Sequence, residues 1–241
     1  MERLNKKIAA SGLTSRRKAD ELIIEGKVKV NGVIVTDLGV KVSDKDIIEV
    51  DNKKLVSEDK VYYLLNKPRE VLATTADDKG RKTVIDLIDT KERIFPVGRL
   101  DYDTSGLLIL TNDGELTQAL THPKGSIAKT YIAKVEGIVT SKEIKELESG
   151  IILDGVKTKK AHARINKIDK KNNKSYVELT ITEGRNHQVK NMFMYFNHKV
   201  LKLKRVTYSF LDLSGLKKGE YRPLSIKEVK QLYNECKIKK D

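Results

Sequence analysis

Apolar positions in the first sixty residues follow helical spacing and then alternate as in strands. Leu4 and Ile8 lie four apart on one face of a short helix, and a second apolar stripe follows up to Gly26. Asn31-Gly32, with valines on both sides, is a strong signal for a β-hairpin, and a further strand is expected around Ile47–Val50. The pattern predicts a helix-helix-hairpin module over residues 1–58.

The longer remainder of the chain is richer in strand patterns. After a polar connection at residues 56–60, the pattern predicts strands at 61–65, 128–135, 161–168, 176–181 and 200–206, and helices at 116–120, 141–147 and 224–232. Lys202, Lys204 and Arg205 interleave with the apolar residues of the strand at 200–206, which predicts a strand with one basic face. Residues 237–241 are expected to fray. We therefore expect an α+β fold, with the N-terminal module followed by a larger domain with a mixed or antiparallel sheet over residues 61–236.

The stretch from Gly98 to Gly114 joins a polar turn to four consecutive apolar residues, Leu107–Leu110. The apolar run predicts a buried strand, and Asn112-Asp113-Gly114 predicts that this strand enters a hairpin. Side chains of the polar turn would then lie at the start of a buried strand, where they are held rigidly and still reach solvent. Catalytic or binding residues are often placed in this way.

Two simpler interpretations apply to the acidic residues of this turn. The segment Asp101–Gly106 has the ligand spacing of the first half of a calcium loop, but position twelve is Asn112, which cannot supply the bidentate carboxylate. We therefore expect Asp103–Ser105 to hydrogen-bond within their own turn. Neither interpretation explains Arg99 and Asp101, which share one side of an extended chain because they lie two residues apart.

Composition favours a polyanionic partner. The 241 residues carry 48 Lys+Arg against 34 Asp+Glu, a formal net charge of +14. An acidic membrane surface would also attract this charge, but no segment approaches the roughly 20 apolar residues of a membrane span, and no basic amphipathic helix stands out. Nucleic acid is the better partner.

Other chemistry is sparse in the sequence. Cys236 is the single cysteine, so no disulfide framework is expected, and the four histidines are scattered without metal-ligand spacing. No signal-peptide pattern follows Met1, which predicts a cytoplasmic protein. We expect neither a metal nor a cofactor.

Four motifs together resemble a known family. Gly98-Arg99-Leu100-Asp101, continued through Thr104-Ser105-Gly106-Leu107-Leu108 to Leu116, resembles the active-site motif of the RsuA/RluB family of ribosomal RNA pseudouridine synthases. Lys129-Thr130-Tyr131 resembles the family's Lys-x-Tyr element, and the segment from Gly184 to Lys190 resembles its second signature. The N-terminal segments 15–19 and 26–32 resemble the S4 RNA-binding domain. The likeness extends from about Arg3 to Leu232.

The resemblance implies an isomerase that converts a specific uridine in RNA to pseudouridine without metal, redox step or energy input. It implies that Asp101 is the catalytic carboxylate, as nucleophile or base, and that Lys190 forms an ion pair with it. Tyr131 would stack on the target base and help proton transfer at C5. Arg99 would fill the gap left by the extruded nucleotide. The remaining residues implied in RNA binding are Lys129, Arg185 and His187.

Two positions depart from the family pattern. Lys190 stands where many relatives carry arginine, which replaces a bidentate fork by a point charge. Asn191 stands where a second basic residue is common, which removes one phosphate contact.

The N-terminal module carries its own basic cluster, Arg16, Arg17 and Lys18, in the first turn of the second helix. The helix dipole disfavours cations at this position, which suggests that they serve a negatively charged partner. The simpler interpretation is a solvated surface, because runs of charged residues usually are one. Because the module resembles an RNA-binding fold, we interpret this cluster as a set of phosphate contacts.

The expected substrate is 23S rRNA, either free or in a ribosomal assembly intermediate, acted on by a monomer away from any membrane. Two alternatives stay open: a small-subunit 16S rRNA pseudouridine synthase, and a non-catalytic RNA-binding ribosome-assembly factor on the same scaffold. A glycoside hydrolase using Asp101 and Asp103 would need two independently placed carboxyl groups that flank a sugar, and the basic charge of the chain speaks against that substrate.

Overall fold

A computed structural model describes residues 1–123 and 125–236, and the α+β expectation is confirmed. The chain separates into two units: Met1–Val61 with the short segments Asp89–Ile94 and Asn112–Gly114, and the rest from Tyr62 onward. No helix within the described ranges is long and apolar enough to span a membrane. The expected fraying of residues 237–241 lies outside the described residues.

The first unit is built from two helices and short strands around one apolar core. Leu4, Ile8, Ala19, Ile23 and Val28 are fully buried in this core, as their spacing predicts. The elements are α1 (Leu4–Ala10), α2 (Arg16–Ile24), β1 (Glu2–Arg3), β2 (Val28–Val30), β3 (Val33–Ile34), β4 (Lys41–Val42), β5 (Ile48–Val50) and β6 (Lys53–Lys54).

The hairpin and the helix start of this unit form for local reasons. Asn31 and Gly32 have φ values of 51° and 82°, the left-handed pair that lets β2 turn directly into β3. The Ser15 hydroxyl accepts a hydrogen bond from the backbone N–H of Lys18 and so caps α2.

The second unit contains a large mixed sheet. Its strand order is β13-β14-β10-β15-β9-β7-β17, with β16 beside β15 and β8 beside β9, and β9 and β15 run parallel. The strands are β7 (Tyr62–Lys67), β8 (Phe95–Pro96), β9 (Thr104–Thr111), β10 (Lys129–Glu136), β11 (Ile152–Leu153), β12 (Val156–Lys157), β13 (His162–Asp169), β14 (Lys174–Ile181), β15 (Val200–Tyr208), β16 (Leu211–Asp212) and β17 (Tyr221–Pro223). The helices are α3 (Gly114–Thr121), α4 (Ser141–Ser149), α5 (Gln188–Met194) and α6 (Ile226–Glu235), with a 3₁₀ turn at Ile85–Leu87.

The predicted buried strand is β9, in the middle of this sheet. Leu107–Leu110 are at most 1% exposed, and Leu107 and Ile109 pack in one core with Leu116 and Leu120 of α3. Burial on both faces explains why the run is apolar without alternation.

Gly106 allows β9 to approach β15. Its φ is +111°, and a Cβ at this position would lie 2.1 Å from the carbonyl oxygen of Arg205 on β15. Only glycine fits there. The close approach puts the polar turn before β9 beside the residues of β15.

The expected hairpin after β9 is wrong. The strand ends at Thr111, and after Asn112-Asp113-Gly114 the chain enters helix α3. Leu116 and Leu120, four residues apart, are buried together, so a helix buries more apolar surface here than a returning strand would. The Asn112 side chain accepts a hydrogen bond from the Val61 N–H, which fixes the turn in a non-hairpin geometry.

Candidate active site

The acidic turn lies where β9 begins. Leu100 is buried and anchors the turn, and the Thr104 N–H donates to the carbonyl of Asp101. Asp101 remains partly accessible, with its side chain 31% exposed. The turn therefore has an apolar anchor and presents a carboxylate beside it.

Lys190 of α5 joins the two carboxylates of this turn. Its Nζ lies 2.8 Å from Oδ2 of Asp101 and 2.6 Å from Oδ1 of Asp103. Partial burial alone would lower the pKa of Lys190, but hydrogen bonds to the two carboxylates outweigh it and raise that pKa. Partial burial likewise opposes ionisation of Asp103, yet the Lys190 ammonium holds its pKa below the usual value. At neutral pH, Lys190 and Asp103 are therefore charged.

His187 adds a second contact to Asp101. Its Nδ1 lies 3.2 Å from Oδ2 of Asp101, and its backbone has a φ of 51°, unusual for a residue other than glycine. This left-handed residue ends the loop just before α5, and it turns the ring toward the acidic turn.

Helix α5 is fixed by a buried face and by Gln188. Val189, Met192 and Phe193 are buried, as their spacing predicts. The Gln188 Oε1 accepts from the Arg185 N–H, and its Nε2 donates to the Glu183 carboxylate. Lys190 is thus held by a firmly packed helix rather than by a mobile loop.

Tyr131 faces the same small cavity from the sheet. Lys129 and Tyr131 project to one face of β10, and Tyr131 is 8% exposed. A cavity of about 80 Å³ is lined by residues that include Arg99, Asp101, Tyr131, His187 and Lys190. An ionised carboxylate beside an aromatic ring can act as nucleophile or base toward a stacked base.

Other residues singled out from the sequence lie beside this cavity. A wider cavity of about 510 Å³ is lined by Lys129 and shares Arg99, Tyr131 and Arg185 with the smaller one. Burial, with help from neighbouring cations, lowers the pKa of Lys129 to about 8, and its Nζ donates to the Ile127 carbonyl.

Arg99 and Arg185 differ in their freedom to bind RNA. Arg99 is exposed at the cavity rim. The Arg185 guanidinium donates to the carbonyls of Val156 and Lys157 and pairs with Glu183, so it is already used within the protein.

In the first unit, Arg16, Arg17 and Lys18 are exposed on the first turn of α2. The Lys18 ammonium lies 2.6 Å from the Glu21 carboxylate. The cluster is accessible, but one of its three cations already has a carboxylate partner.

Lys67 holds the backbone of the acidic turn in place, a role that the sequence did not predict. It is 0% exposed, and its Nζ donates to the carbonyls of Pro68, Asp101 and Thr104. Burial lowers its pKa to about 8, although nearby carboxylates oppose the shift. The sequence offered one signal for this role, the placement of Lys67 at the end of an apolar strand and directly before Pro68. A lysine at a strand end is usually solvated, so its burial was not expected.

Two expectations about individual side chains are wrong. Asp103 binds Lys190 of α5, and the Ser105 hydroxyl donates to the Leu203 carbonyl, so these side chains do not serve only their own turn. The basic residues of β15 do not share one face: Lys202 and Lys204 are exposed, whereas Arg205 is 3% exposed and donates to the Leu107 carbonyl. Contacts with distant elements outweigh the local pattern in both cases.

No group of three or more His, Cys, Asp or Glu side chains in residues 1–123 and 125–236 is arranged to hold a metal ion. Lys190 occupies the space between the two carboxylates of the turn, where a cation would otherwise be attracted.

Comparisons with known proteins agree over almost the whole chain. A family model described as RNA pseudouridylate synthase matches residues 61–195, and one described as S4 domain matches residues 2–48. The chain is 55% identical over 233 residues to ribosomal large subunit pseudouridine synthase B of Bacillus subtilis (strain 168), covering 96% of both chains. It is 45% identical to an RNA pseudouridine synthase of Aquifex aeolicus (strain VF5), covering 98% of this chain and 96% of that relative. A crystal structure of a pseudouridylate synthase superposes with a TM-score of 0.68 at 34% identity, covering 96% of this chain and 100% of that one.

Proposed function

Because this chain belongs to the RNA pseudouridylate synthase family, and so is an enzyme that isomerises uridine in RNA, we propose that Asp101 is its catalytic carboxylate and 23S rRNA its substrate. In this reaction the bond between the sugar C1′ and N1 of uracil breaks, the base turns, and C1′ bonds to C5 instead. The hydrogen on C5 leaves as a proton and N1 gains one, so the product is an isomer of the substrate.

The observation that carries the assignment is the Asp101–Lys190 ion pair. The carboxylate must be ionised to act as nucleophile or base, and an RNA strand that covers the site would remove the water that stabilises its charge. A lysine ammonium 2.8 Å away compensates for that loss. The positive charge that offsets this loss is therefore in place beside Asp101 before RNA binds.

The proposed roles of the neighbouring residues follow from their positions around Asp101. Tyr131 supplies a ring wall against which the uracil can stack, and its hydroxyl is a candidate for proton transfer at C5. Arg99 is exposed at the rim and suits the gap that the extruded nucleotide leaves in its stack. His187, Lys129 and Arg185 line the surrounding cavities and are proposed to position the RNA.

The large ribosomal subunit is proposed as the source of the RNA because of the 55% identity to the Bacillus enzyme. Residues 1–58 are proposed as an S4-like RNA-binding module and 61–236 as the catalytic domain, with Arg16, Arg17 and Lys18 as phosphate contacts. The family-model matches at 2–48 and 61–195 support this division. A cytoplasmic location agrees with an rRNA substrate, and the enzyme is proposed to act as a monomer.

The proposal is tested with purified protein and a 23S rRNA transcript whose uridines carry tritium at C5. We expect release of tritium by the wild-type protein, no release by Asp101→Asn, and RNA binding by both. Asp103→Asn is the matched control, since it removes a carboxylate that also binds Lys190 but leaves Asp101 in place. Turnover by Asp101→Asn at the wild-type rate would refute the assignment, and no release by the wild-type protein from 23S rRNA would refute the substrate.

A further inference from the structure

A second groove, separate from the Asp101 cavity, lies on the other face of the large sheet. It has a volume of about 690 Å³ and is lined by six basic side chains: Arg69, Lys134, Lys202, Lys204, Lys217 and Lys218. No Asp or Glu side chain among the described residues lines it. Its floor includes Ile132 and Tyr176.

The register of β10 and β15 shows which face of the sheet carries the lysines of this groove. Tyr131 lies opposite Arg205, Ile132 opposite Lys204, and Lys134 opposite Lys202, with regular pairing between them. Because successive side chains of a strand point to opposite faces, Lys134, Lys202 and Lys204 project away from the face that carries Tyr131. The groove is therefore not an extension of the catalytic cavity.

The arrangement of these lysines is electrostatically unfavourable in the free protein. Lys134 and Lys202 are direct cross-strand neighbours, and like charges in such pairs destabilise a sheet. Lys204 lies two residues from Lys202 on the same face, about 7 Å along the strand. Two acidic residues lie near these lysines in the register. Glu178, opposite Ile132, has both its oxygens bound by Arg164, and Glu136 follows Lys134 by two residues on β10 and is exposed.

The shape and composition of the groove favour a nucleic acid over a protein. Lys134 Nζ lies 5.4 Å from the centroid of the Tyr176 ring, so a cation and an aromatic surface are presented together. Cations spaced regularly along two adjacent strands match a nucleic-acid backbone, which carries one negative charge per nucleotide. An acidic protein segment would also need apolar contacts to form a stable interface. Four lining residues, Ile132, Tyr176, Leu203 and Leu216, are apolar or aromatic, against six basic side chains and, among the described residues, no acidic one.

We propose that this groove binds the phosphate backbone of a second segment of the substrate RNA, on the face of the sheet opposite the catalytic site. The inference rests on the proposed function, since the anion is taken to be the rRNA that the enzyme modifies. A second contact of this kind positions the RNA without touching the reacting uridine. It would favour a long folded substrate over a short fragment.

The test compares binding of a full-length 23S rRNA transcript over a range of salt concentrations. The variant Lys134→Gln/Lys202→Gln/Lys204→Gln keeps the aliphatic stems and removes three charges. The slope of log K against log salt is negative, and each lost phosphate contact reduces its magnitude by about 0.7 to 0.9. For the variant we therefore expect weaker binding and a slope whose magnitude is smaller by about 2 to 3. Replacing the same three lysines by arginine should keep the slope. The matched control is Lys142→Gln/Lys227→Gln/Lys230→Gln, which removes equal charge from exposed positions on α4 and α6.

A tethered probe locates the RNA directly. Cys236 is the only cysteine in the sequence and is buried, so a cysteine introduced by Lys204→Cys can be labelled selectively with an iron chelate that cleaves nearby RNA. We expect localised cleavage of the transcript from position 204 and none from a probe attached through Lys142→Cys.

The outcomes separate this inference from the proposed function. An unchanged salt slope in the glutamine variant, an equal loss in the control, or the absence of cleavage from position 204 would overturn the groove as an RNA site. Wild-type turnover on the same transcript tests the proposed function independently. If the wild-type protein forms no pseudouridine, that function fails, while the slope comparison still decides the groove.

Discussion

Replacing Lys190 by methionine removes the cation that joins Asp101 and Asp103 while keeping a side chain of similar length. The Asp101 side chain is 31% exposed and the Asp103 side chain is 53% exposed, so Asp103 is the better solvated of the two partners of Lys190. Without the ammonium, the two carboxylates lose their shared donor and repel each other. The effect should therefore fall mainly on Asp101, which is less solvated and is expected to be desolvated further by RNA.

The size of the loss follows from the hydrogen bond to Asp101. A hydrogen bond to a charged group contributes about 1.5 to 3 kcal/mol. Since each 1.36 kcal/mol is a factor of ten in rate, Lys190→Met should slow the single-turnover reaction by about 10- to 150-fold. Lys190→Arg should lose much less, because it keeps the positive charge at the same place.

The pH dependence gives a second and more specific readout. The pKa of Lys190 is raised above the ordinary lysine value, so Lys190 loses its positive charge only at a pH above that value. The pKa of Asp103 is lowered below the ordinary aspartate value, so Asp103 takes up a proton only at a pH below that value. Lys190 and Asp103 are thus both charged throughout the neutral range in the wild type. In Lys190→Met the carboxylates take up protons more readily, and the rate deficit should deepen as the pH is lowered.

The measurement is single-turnover tritium release at saturating RNA, across pH, for the wild type, Lys190→Met and Lys190→Arg. Lys227→Met serves as the control, because it removes an exposed lysine on α6. An unchanged rate and pH profile for Lys190→Met would show that the ion pair has no part in the reaction. A deficit that did not depend on pH would leave Lys190 as an RNA contact rather than a partner of the carboxylate.

Two further predictions concern the N-terminal helix and the buried lysine. Replacing Arg16, Arg17 and Lys18 by alanine should flatten the salt slope of RNA binding by about 2 to 3 with little change in the rate at saturating RNA, whereas unchanged affinity and slope would leave the cluster as solvated surface. Lys67→Met should reduce turnover by releasing the carbonyls of the acidic turn, and it should alter the pH dependence of unfolding measured with urea. Because burial lowers the pKa of Lys67 from 10.5 to about 8, the wild-type free energy of unfolding should rise between those pH values by at most about 3 kcal/mol, and this rise should be smaller in the variant. Identical pH profiles for the two proteins would mean that Lys67 does not change its proton binding on folding.

Sequence patterns were sufficient where local spacing and burial agree. The helix at Leu4 and Ile8 and the apolar strand Leu107–Leu110 bury the residues that their spacing selects. The Asn31-Gly32 hairpin forms as its turn residues predict, although Val33 on its second strand is 68% exposed. The hairpin predicted at Asn112-Asp113-Gly114 failed because an asparagine-aspartate-glycine turn fixes only a change of direction. The element after this turn is the helix that the four-residue spacing of Leu116 and Leu120 predicts, and both leucines are buried in it.

Contacts between elements far apart in the chain could not be predicted from spacing. Asp103 was expected to bind its own turn, but Lys190 lies 87 positions away and reaches it only because α5 packs against the sheet. Arg205 was grouped with Lys202 and Lys204 as one basic face, yet alternation along β15 buries it. The family resemblance suggested the pairing of Asp101 with Lys190, whereas the sequence pattern alone offered no reason to connect them.

The acidic turn is held from two sides by lysines with different tasks. Lys67 is buried and binds the backbone carbonyls of Asp101 and Thr104, so it fixes where the turn lies. Lys190 is partly exposed and binds the carboxylates of Asp101 and Asp103, so it governs their charge. A buried ammonium costs folding free energy, as its lowered pKa indicates, and that cost is tolerated where the turn must be placed precisely enough for chemistry. Loss of Lys67 should therefore harm the rate by leaving the carbonyls of the turn without their donor, whereas loss of Lys190 should harm the rate by removing the charge beside the carboxylates and should leave the fold intact.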